Sequence, residues 1–390
     1  MQNDFFTNNV VKKPDKLLKL RIPYKGSKID IASQLIDKML EVKPNAKYFI
    51  DMCGGGGAMS FTAKQYGLQV LYNEKQTGVV NLLQFILDRM KNNEKSELGF
   101  FPLEFYNFVS RQEFKELIKQ DTAYSEFVRI NYSFSNNQRN YMFSPELEKF
   151  KKQGHNFVMY KDRQAKEYIK EHYKTSCNRF IDYIETGKTW QDRRLLYVNI
   201  ILKIEAIKVA ESCYDGFVNF FDSFINEGFH KMSNVYIVNL INEYIPNIDR
   251  KHYKTDRSAK LKELKQLQQL KRLEQLEQLQ QLERLKQLQH LERPDLITLS
   301  NLDYKDVVIN TPHEETIVYF DPPYRDTDKY SEEVNHEELD NYFKNSPYSC
   351  FMSEYTAPHK SIYQIQKISK MLNNVVDKLY KTENLFYNEK

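Results

Sequence analysis

Residues 48–74, YFIDMCGGGGAMSFTAKQYGLQVLYNE, decide the fold. The apolar YFID (48 to 51) reads as a short strand running straight into Gly54 to Gly57; AMSFTAKQY then reads as a helix and LQVLYNE as a second strand. Strand, glycine turn, helix and a strand ending on an acid form the unit from which parallel α/β sheets are built. Four consecutive glycines let a ligand approach the backbone closely, with the free N–H groups of the helix N-terminus facing it. A glycine run by itself reads equally well as a flexible loop. Glu74 tips the balance: 23 residues after Asp51 and closing the next strand, its carboxylate is placed to accept hydrogen bonds from ribose hydroxyls, as in nucleotide-binding α/β folds. The turn is not GxGxxG, which argues against a dinucleotide.

Working outward, IDIASQLIDKMLEV (29 to 42) has apolar residues at helical spacing and stops before Pro44. Residues 78 to 130 continue as helix with a stripe of Phe, Leu and Tyr. From 131 the character changes: NYSFSNNQRNYMFSPELEKFKKQGHN reads as a turn or hairpin, followed by a basic, tyrosine-containing stretch to about 190. Helical periodicity returns in LLYVNIILKIEAIKVAESC. In residues 261 to 291 eleven leucines, Leu261 to Leu291, recur every third residue among Gln, Glu, Lys and Arg. Each such step advances about 300° on a helix, so the stripe slips about 60° per repeat and circles it, unlike a heptad seam. The repeat is read as a chemically passive low-complexity insertion; a dimerisation or DNA-spanning arm is the other reading. After Pro294, LITLSNLDYKDVVI and ETIVYFDPPY look like two further strands, and the remainder alternates helix and strand. The expected architecture is one α/β core, 15–130 joined to 294–390. Into it are inserted a mostly helical recognition region, 131–255, and the leucine repeat, 256–293.

Composition excludes few classes. The 41% hydrophobic and 14% aromatic content, from 27 Tyr, 25 Phe and one Trp, is that of a folding chain. With 57 basic and 53 acidic residues the net charge of +4 favours no partner, although a local basic face remains open. Cys53, Cys177, Cys213 and Cys350 lack CxxC spacing, so neither a zinc knuckle nor a disulfide framework is expected. MQNDFFTNNVVKKPDK lacks a signal peptide's apolar run and no stretch suits a membrane span, so a soluble cytoplasmic protein is expected.

The sharpest chemistry lies in TIVYFDPPYRDTDKY, where Asp321, Pro322, Pro323 and Tyr324 follow a hydrophobic strand at the carboxyl end, where α/β sheets bind ligands. Pro-Pro with a capping Asp can simply end a strand. The same four residues fit one reaction well. An amino group conjugated to an aromatic ring is a poor nucleophile because its lone pair is delocalised. Asp321 and a neighbouring backbone carbonyl, Pro322 for preference, can accept both amino hydrogens and turn that lone pair toward an electrophile. The prolines stiffen the acceptors in advance, and Tyr324 offers a face for stacking. A sulfonium methyl donor then needs only in-line attack, with neither metal nor covalent intermediate.

With these residues in view, the chain resembles the amino-group DNA methyltransferases, especially the Dam-like adenine methyltransferases common in phages and prophages. PYKGSK (23 to 28) is similar to that family's N-terminal cofactor motif, FIDMCGGGGAMS (49 to 60) to its donor motif, DPPY (321 to 324) to its catalytic motif, and NYSFSNNQRNYMF to the start of its target-recognition region. The motif order is that of the Dam-like subgroup. Tyr24 stands where Trp is common and Ser27 where Gly is common. The resemblance implies a Rossmann-like methyltransferase core using S-adenosylmethionine as methyl donor. In it Tyr24, Gly26 and Lys28 line the donor pocket, Asp51, Gly55 and Gly57 surround the methionine end, Glu74 binds the ribose and Asp303 lies near the donor's adenine. It implies methylation of adenine N6 in double-stranded DNA.

Reaching a base inside a duplex requires flipping it out. Asn136, Asn137 and Arg139 carry side chains suited to base edges and phosphates, and the basic residues from Lys149 to Arg179 suit backbone contacts; each alone is equally readable as solvated surface. No obligatory protein partner and no nuclease motif is evident, which suits an orphan or phage-protective enzyme. Rival readings are a methyltransferase acting on cytosine N4, RNA or a protein amide, and a non-catalytic DNA-binding relative.

Overall fold

A computed structural model of the protein describes residues 11–15, 17, 24, 26–92, 101–134, 137–173, 176–213, 233, 297–325, 334–368 and 380–390. Asn136 and the leucine repeat therefore lie outside the described residues. The chain divides into two compact units, Met1–Met142 with Gln281–Lys390, and Phe143–Gln280.

The first unit is mixed α/β around a seven-stranded sheet. Its strands are β1 (Tyr48–Asp51), β2 (Gln69–Asn73), β3 (Ile297–Ser300), β4 (Thr316–Phe320), β5 (Ser349–Glu354), β6 (Lys360–Ile368) and β7 (Tyr380–Tyr387). They lie in the order β3-β2-β1-β4-β5-β7-β6. The first five pair in parallel, and β7 runs antiparallel to both β5 and β6. The parallel strands read as apolar runs because helices cover both faces, and every residue of TIVYF in β4 is buried. Side chains alternate between two cores. Phe49, Ile317, Tyr319, Phe351 and Leu385 face one, with residues of α1 (Ala32–Val42), α2 (Ala58–Gln65) and α3 (Thr77–Lys91). Ile50, Val318, Phe320, Met352 and Phe386 face the other, with Leu339 and Phe343 of a helix at His336–Asn345.

The strand, glycine turn, helix, strand expectation for residues 48–74 corresponds to β1, α2 and β2, and the helix expected over 29–42 begins at Ala32. In LITLSNLDYKDVVI only Ile297–Ser300 is strand; Tyr304–Asp306 is a 3-10 turn capped by the Asp303 carboxylate. The expected alternation to the end is corrected at β6 and β7, two paired antiparallel strands. The hairpin expected from residue 131 spans only Tyr132–Met142. There Met142 N–H donates to Tyr132 O (2.8 Å) and Phe134 N–H to Asn140 O (2.7 Å).

In the second unit, the rest of the stretch read as turn, together with the basic segment after it, is helical: α4 (Arg111–Leu117) and α5 (Ala123–Asn131) of the first unit are followed here by α6 (Pro145–Tyr160) and α7 (Arg163–Tyr173). Ser144 starts α6, its hydroxyl accepting from Leu147 N–H with Pro145 in the first turn, and Lys161 ends it at φ 54°. A 3-10 segment, Ser176–Thr186, leads to α8 (Trp190–Cys213). Arg193 ties α8 to the end of α6 by donating to Val158 O (2.6 Å) and Met159 O (3.0 Å). No helix among the described residues is long and apolar enough to cross a membrane.

Candidate active site

The strand order reverses direction between β1 and β4, which are hydrogen-bonded neighbours; ligands of open α/β sheets bind at the carboxyl ends beside such a switch point. The glycine turn follows β1 and the Asp-Pro-Pro-Tyr corner follows β4, so both lie at that point. Met52 N–H donates to Tyr319 O (2.9 Å), joining the end of β4 to the start of the glycine turn directly.

The turn is shaped by its neighbours. Gly55 (φ 47°) and Gly57 (φ 75°) occupy left-handed backbone, and Gly57 caps α2. Gly54 is held by Asn73 O (2.8 Å) with the buried Tyr72 ring pressed against it: a Cβ there would sit 2.1 Å from a ring carbon. The Tyr72 phenol in turn donates to Gly55 O (2.7 Å). Gly54→Ala is expected to lower unfolding stability by about 1–3 kcal/mol through overpacking. Denaturant titration checks this, and a wild-type midpoint would mean that the ring has room to move.

Glu74, just beyond β2, spans the turn: one carboxylate oxygen accepts Gly55 N–H and the other Gln76 N–H, each at 2.9 Å. Tyr24 lies over Gly55, where a Cβ would come within 2.9 Å of its ring, and its hydroxyl reaches Gln76 (3.5 Å). Asp51 ends β1 only 1% exposed. Its Oδ2 accepts from the Ser60 hydroxyl (2.6 Å), while Oδ1 has no hydrogen-bond partner among the described residues. Burial pushes the Asp51 carboxyl up to about 7, with the Asp321 and Glu74 carboxylates adding to the rise.

Across the switch point, Lys28, 3% exposed, forms an ion pair with Asp321, its ammonium 2.6 Å from one carboxylate oxygen and 2.7 Å from the other. The same ammonium donates to Gly26 O (3.1 Å) and lies 4.8 Å from the centre of the Tyr324 ring. Gly26 itself is left-handed, at φ 81°. Lys28 thus stands on the acceptor side of the site, beside Asp321, in addition to its place in the N-terminal motif. Tyr324 packs edge-on against Tyr355, with ring centres 4.7 Å apart. Pro322 is buried and Pro323 half-buried.

Neither a scan against protein-family models nor a search of curated proteins gives a match to this chain.

Of the residues singled out in the sequence, Tyr24, Gly26, Lys28, Asp51, Gly55, Gly57, Glu74 and Asp321 to Tyr324 meet at the ends of β1, β2 and β4. Asp303 stands one strand further out, beyond β3. Its carboxylate accepts from Lys305 N–H (3.2 Å) and faces Lys75 (3.4 Å). The Asn301 amide fastens that segment to β2 by donating to Glu74 O (2.8 Å) and Lys75 O (2.9 Å). Asn137 uses its side-chain oxygen to close the hairpin turn, accepting from Arg139 N–H (3.0 Å) and Asn140 N–H (2.9 Å); Arg139 is exposed. The hairpin approaches the site through Gln138, whose side chain lies 3.3 Å from that of Gln76. In the helical unit, Lys166 and Lys170 are engaged by Asp182 (3.3 and 2.6 Å), and Lys166 also by Glu185 (2.9 Å), so these two cations of the expected phosphate-contacting stretch are partly neutralised.

Sequence reasoning missed two carboxylates. Glu354, at the end of β5, is buried and accepts Arg325 N–H (3.1 Å) and Tyr355 N–H (2.8 Å); burial raises it to about 7. Glu383 on β7 is 3% exposed, accepts the Tyr324 hydroxyl (2.8 Å) and lies 3.5 Å from Lys28. An acid two residues before Leu385 on the same strand face was the available signal, but KTENLFYNEK is polar enough to pass for a tail.

Proposed function

We propose that this protein is an S-adenosylmethionine-dependent methyltransferase that modifies the N6 amino group of adenine in double-stranded DNA. The juxtaposition of the Asp321 corner and the Gly54–Gly57 turn at the β1/β4 switch point carries this reading. It puts an acceptor for amino hydrogens beside a turn suited to a nucleoside-bearing donor.

The residues fit such a donor. Asp51 Oδ1 is a buried acceptor without a partner among the described residues, suited to the ammonium of a methionine moiety. Glu74 keeps acceptor capacity beyond its two backbone N–H bonds for ribose hydroxyls. Asp51, Glu74 and Asp321 make this end of the sheet acidic, which favours a cationic ligand. When bound, the donor supplies an electrophilic methyl on a sulfonium.

The chain's own residues supply geometry. Asp321, ion-paired with Lys28, offers carboxylate oxygens as acceptors, and its role in this reading is to hold amino hydrogens while the nitrogen lone pair turns out of conjugation. Pro322 contributes its backbone carbonyl, and the two prolines hold both acceptors still. Tyr324, its phenol anchored on Glu383, presents a ring for stacking.

The test offers labelled donor with duplex DNA, RNA and protein in parallel. Label is expected in DNA, as N6-methyladenine. Label confined to RNA or protein, or found as N4-methylcytosine, would overturn the substrate assignment; no transfer to any of them would favour a non-catalytic relative.

A further inference from the structure

The Lys28 ammonium donates to Gly26 O (3.1 Å) and Asp321 (2.7 Å) and lies 3.5 Å from a Glu383 carboxylate oxygen. The contact lies in a region nearly closed to water, for the Lys28 and Glu383 side chains are only 4% and 3% exposed. Asp321, at 19%, is the open member of the three. Glu383 therefore grips the corner twice: at its last residue through the Tyr324 phenol, and at its first through the shared Lys28 ammonium. The ammonium sits on both Asp321 oxygens (2.6 and 2.7 Å), and Glu383, a second carboxylate 3.5 Å away, ties that ion pair to the Tyr324 phenol through the same oxygen.

We propose that Glu383 is a positioning residue: by sharing Lys28 with Asp321 and anchoring the Tyr324 hydroxyl, it fixes the acceptor and the stacking ring in the geometry that receives the substrate's amine. The proposal rests on the functional reading above, and its test separates the two.

Glu383→Gln keeps an oxygen for the Tyr324 phenol while removing the charge and replacing the other oxygen by NH2, whereas Glu383→Ala would strip a buried phenol of its acceptor and endanger the fold. In full-length protein carrying carboxyl-13C aspartate, the Asp321 resonance is assigned by its loss in Asp321→Asn. Glu383→Gln is expected to move the titration midpoint of Asp321 to lower pH, because a neighbouring negative charge is gone and Lys28 serves Asp321 alone. A purely packing role for Glu383 would leave that midpoint in place, and an unmoved midpoint overturns the proposal whether or not the wild type transfers methyl groups. In turnover, kcat is expected to fall about 10- to 100-fold. Donor affinity is expected to stay within about 2-fold, and the acid limb of the pH profile to shift down with the Asp321 midpoint. A shifted midpoint with wild-type kcat also overturns the positioning role. A shifted midpoint in a protein whose wild type modifies no DNA supports the charge sharing and sinks the functional reading instead.

Discussion

Asp321→Ala is expected to abolish methyl transfer, lowering kcat by about 10³-fold or more, while donor binding persists. A single pre-organised polar group aimed at the reacting centre accounts for about 10²–10³ in rate. Asp321 additionally sets the orientation of the attacking lone pair, so its loss leaves the amine conjugated and unreactive. The variant also leaves Lys28 buried beside Glu383 alone, and breaking a buried pair by removing one partner is typically destabilising by about 3–5 kcal/mol. Asp321→Asn controls for this by keeping the shape. Its amide can accept only at the oxygen, and its NH2 opposes both Lys28 and the substrate's hydrogens, so it is expected to be nearly as inactive with less loss of stability. Single-turnover transfer and donor titration on both variants check the prediction; turnover near the wild-type rate in either would remove the mechanism.

The second large effect concerns Asp51 and pH. Its carboxyl is raised by burial to about 7 from an ordinary value of 3.8. The unfolded chain releases that proton near pH 4 and the folded chain holds it to about pH 7. The folded state is therefore favoured at low pH, and that advantage is lost as pH rises through the interval, by an amount on the order of 4 kcal/mol. Thermal unfolding followed from pH 5 to 8 should show Asp51→Asn losing less stability than the wild type. It should still lose some, since Glu354 is also raised to about 7. Parallel curves would mean that Asp51 ionises freely. A cationic donor at Oδ1 would favour the carboxylate, so donor binding near pH 6 should release a proton from the wild type and not from Asp51→Asn. Calorimetry in buffers of different ionisation enthalpy reads that difference.

How far the sequence revealed this site follows from the range of the interactions that build it. β1, the glycine turn, α2 and β2 are set by neighbours within a few residues: an apolar run, glycines, then helical spacing, all visible in residues 48–74. The corner after β4 was legible for the same reason, since TIVYF ends abruptly in two prolines. The inserted region was expected to be mostly helical, but the places of α6 and α7 within it were not legible, because their lysines, glutamates and tyrosines hide the buried stripe of Phe150, Phe157, Ala165 and Ile169, although Ser144-Pro145-Glu146 is a helix start. The Lys28–Asp321 pair was beyond reach: 293 residues separate its members, and only the completed sheet brings them together. Glu354 and Glu383 belong to the same class, acids whose meaning appears once β5 pairs with β4 and β7 with β5. The methyl donor and the DNA rest on motif resemblance and on the chemistry of the assembled corner.

The pairing of β1 with β4 unites Tyr48–Asp51 with Thr316–Tyr319. During synthesis the ribosome must therefore pass residue 316 before the central strand acquires its second neighbour. Entropy of closing so long a segment grows only as a logarithm, about 0.6 kcal/mol for each doubling, so equilibrium stability barely registers its length. The rate of reaching the native arrangement does register it, because contacts of large sequence separation form slowly. Until then the β4-facing edge of Phe49 and Ile50 lacks its partner, and an unpaired strand edge is a template for aggregation.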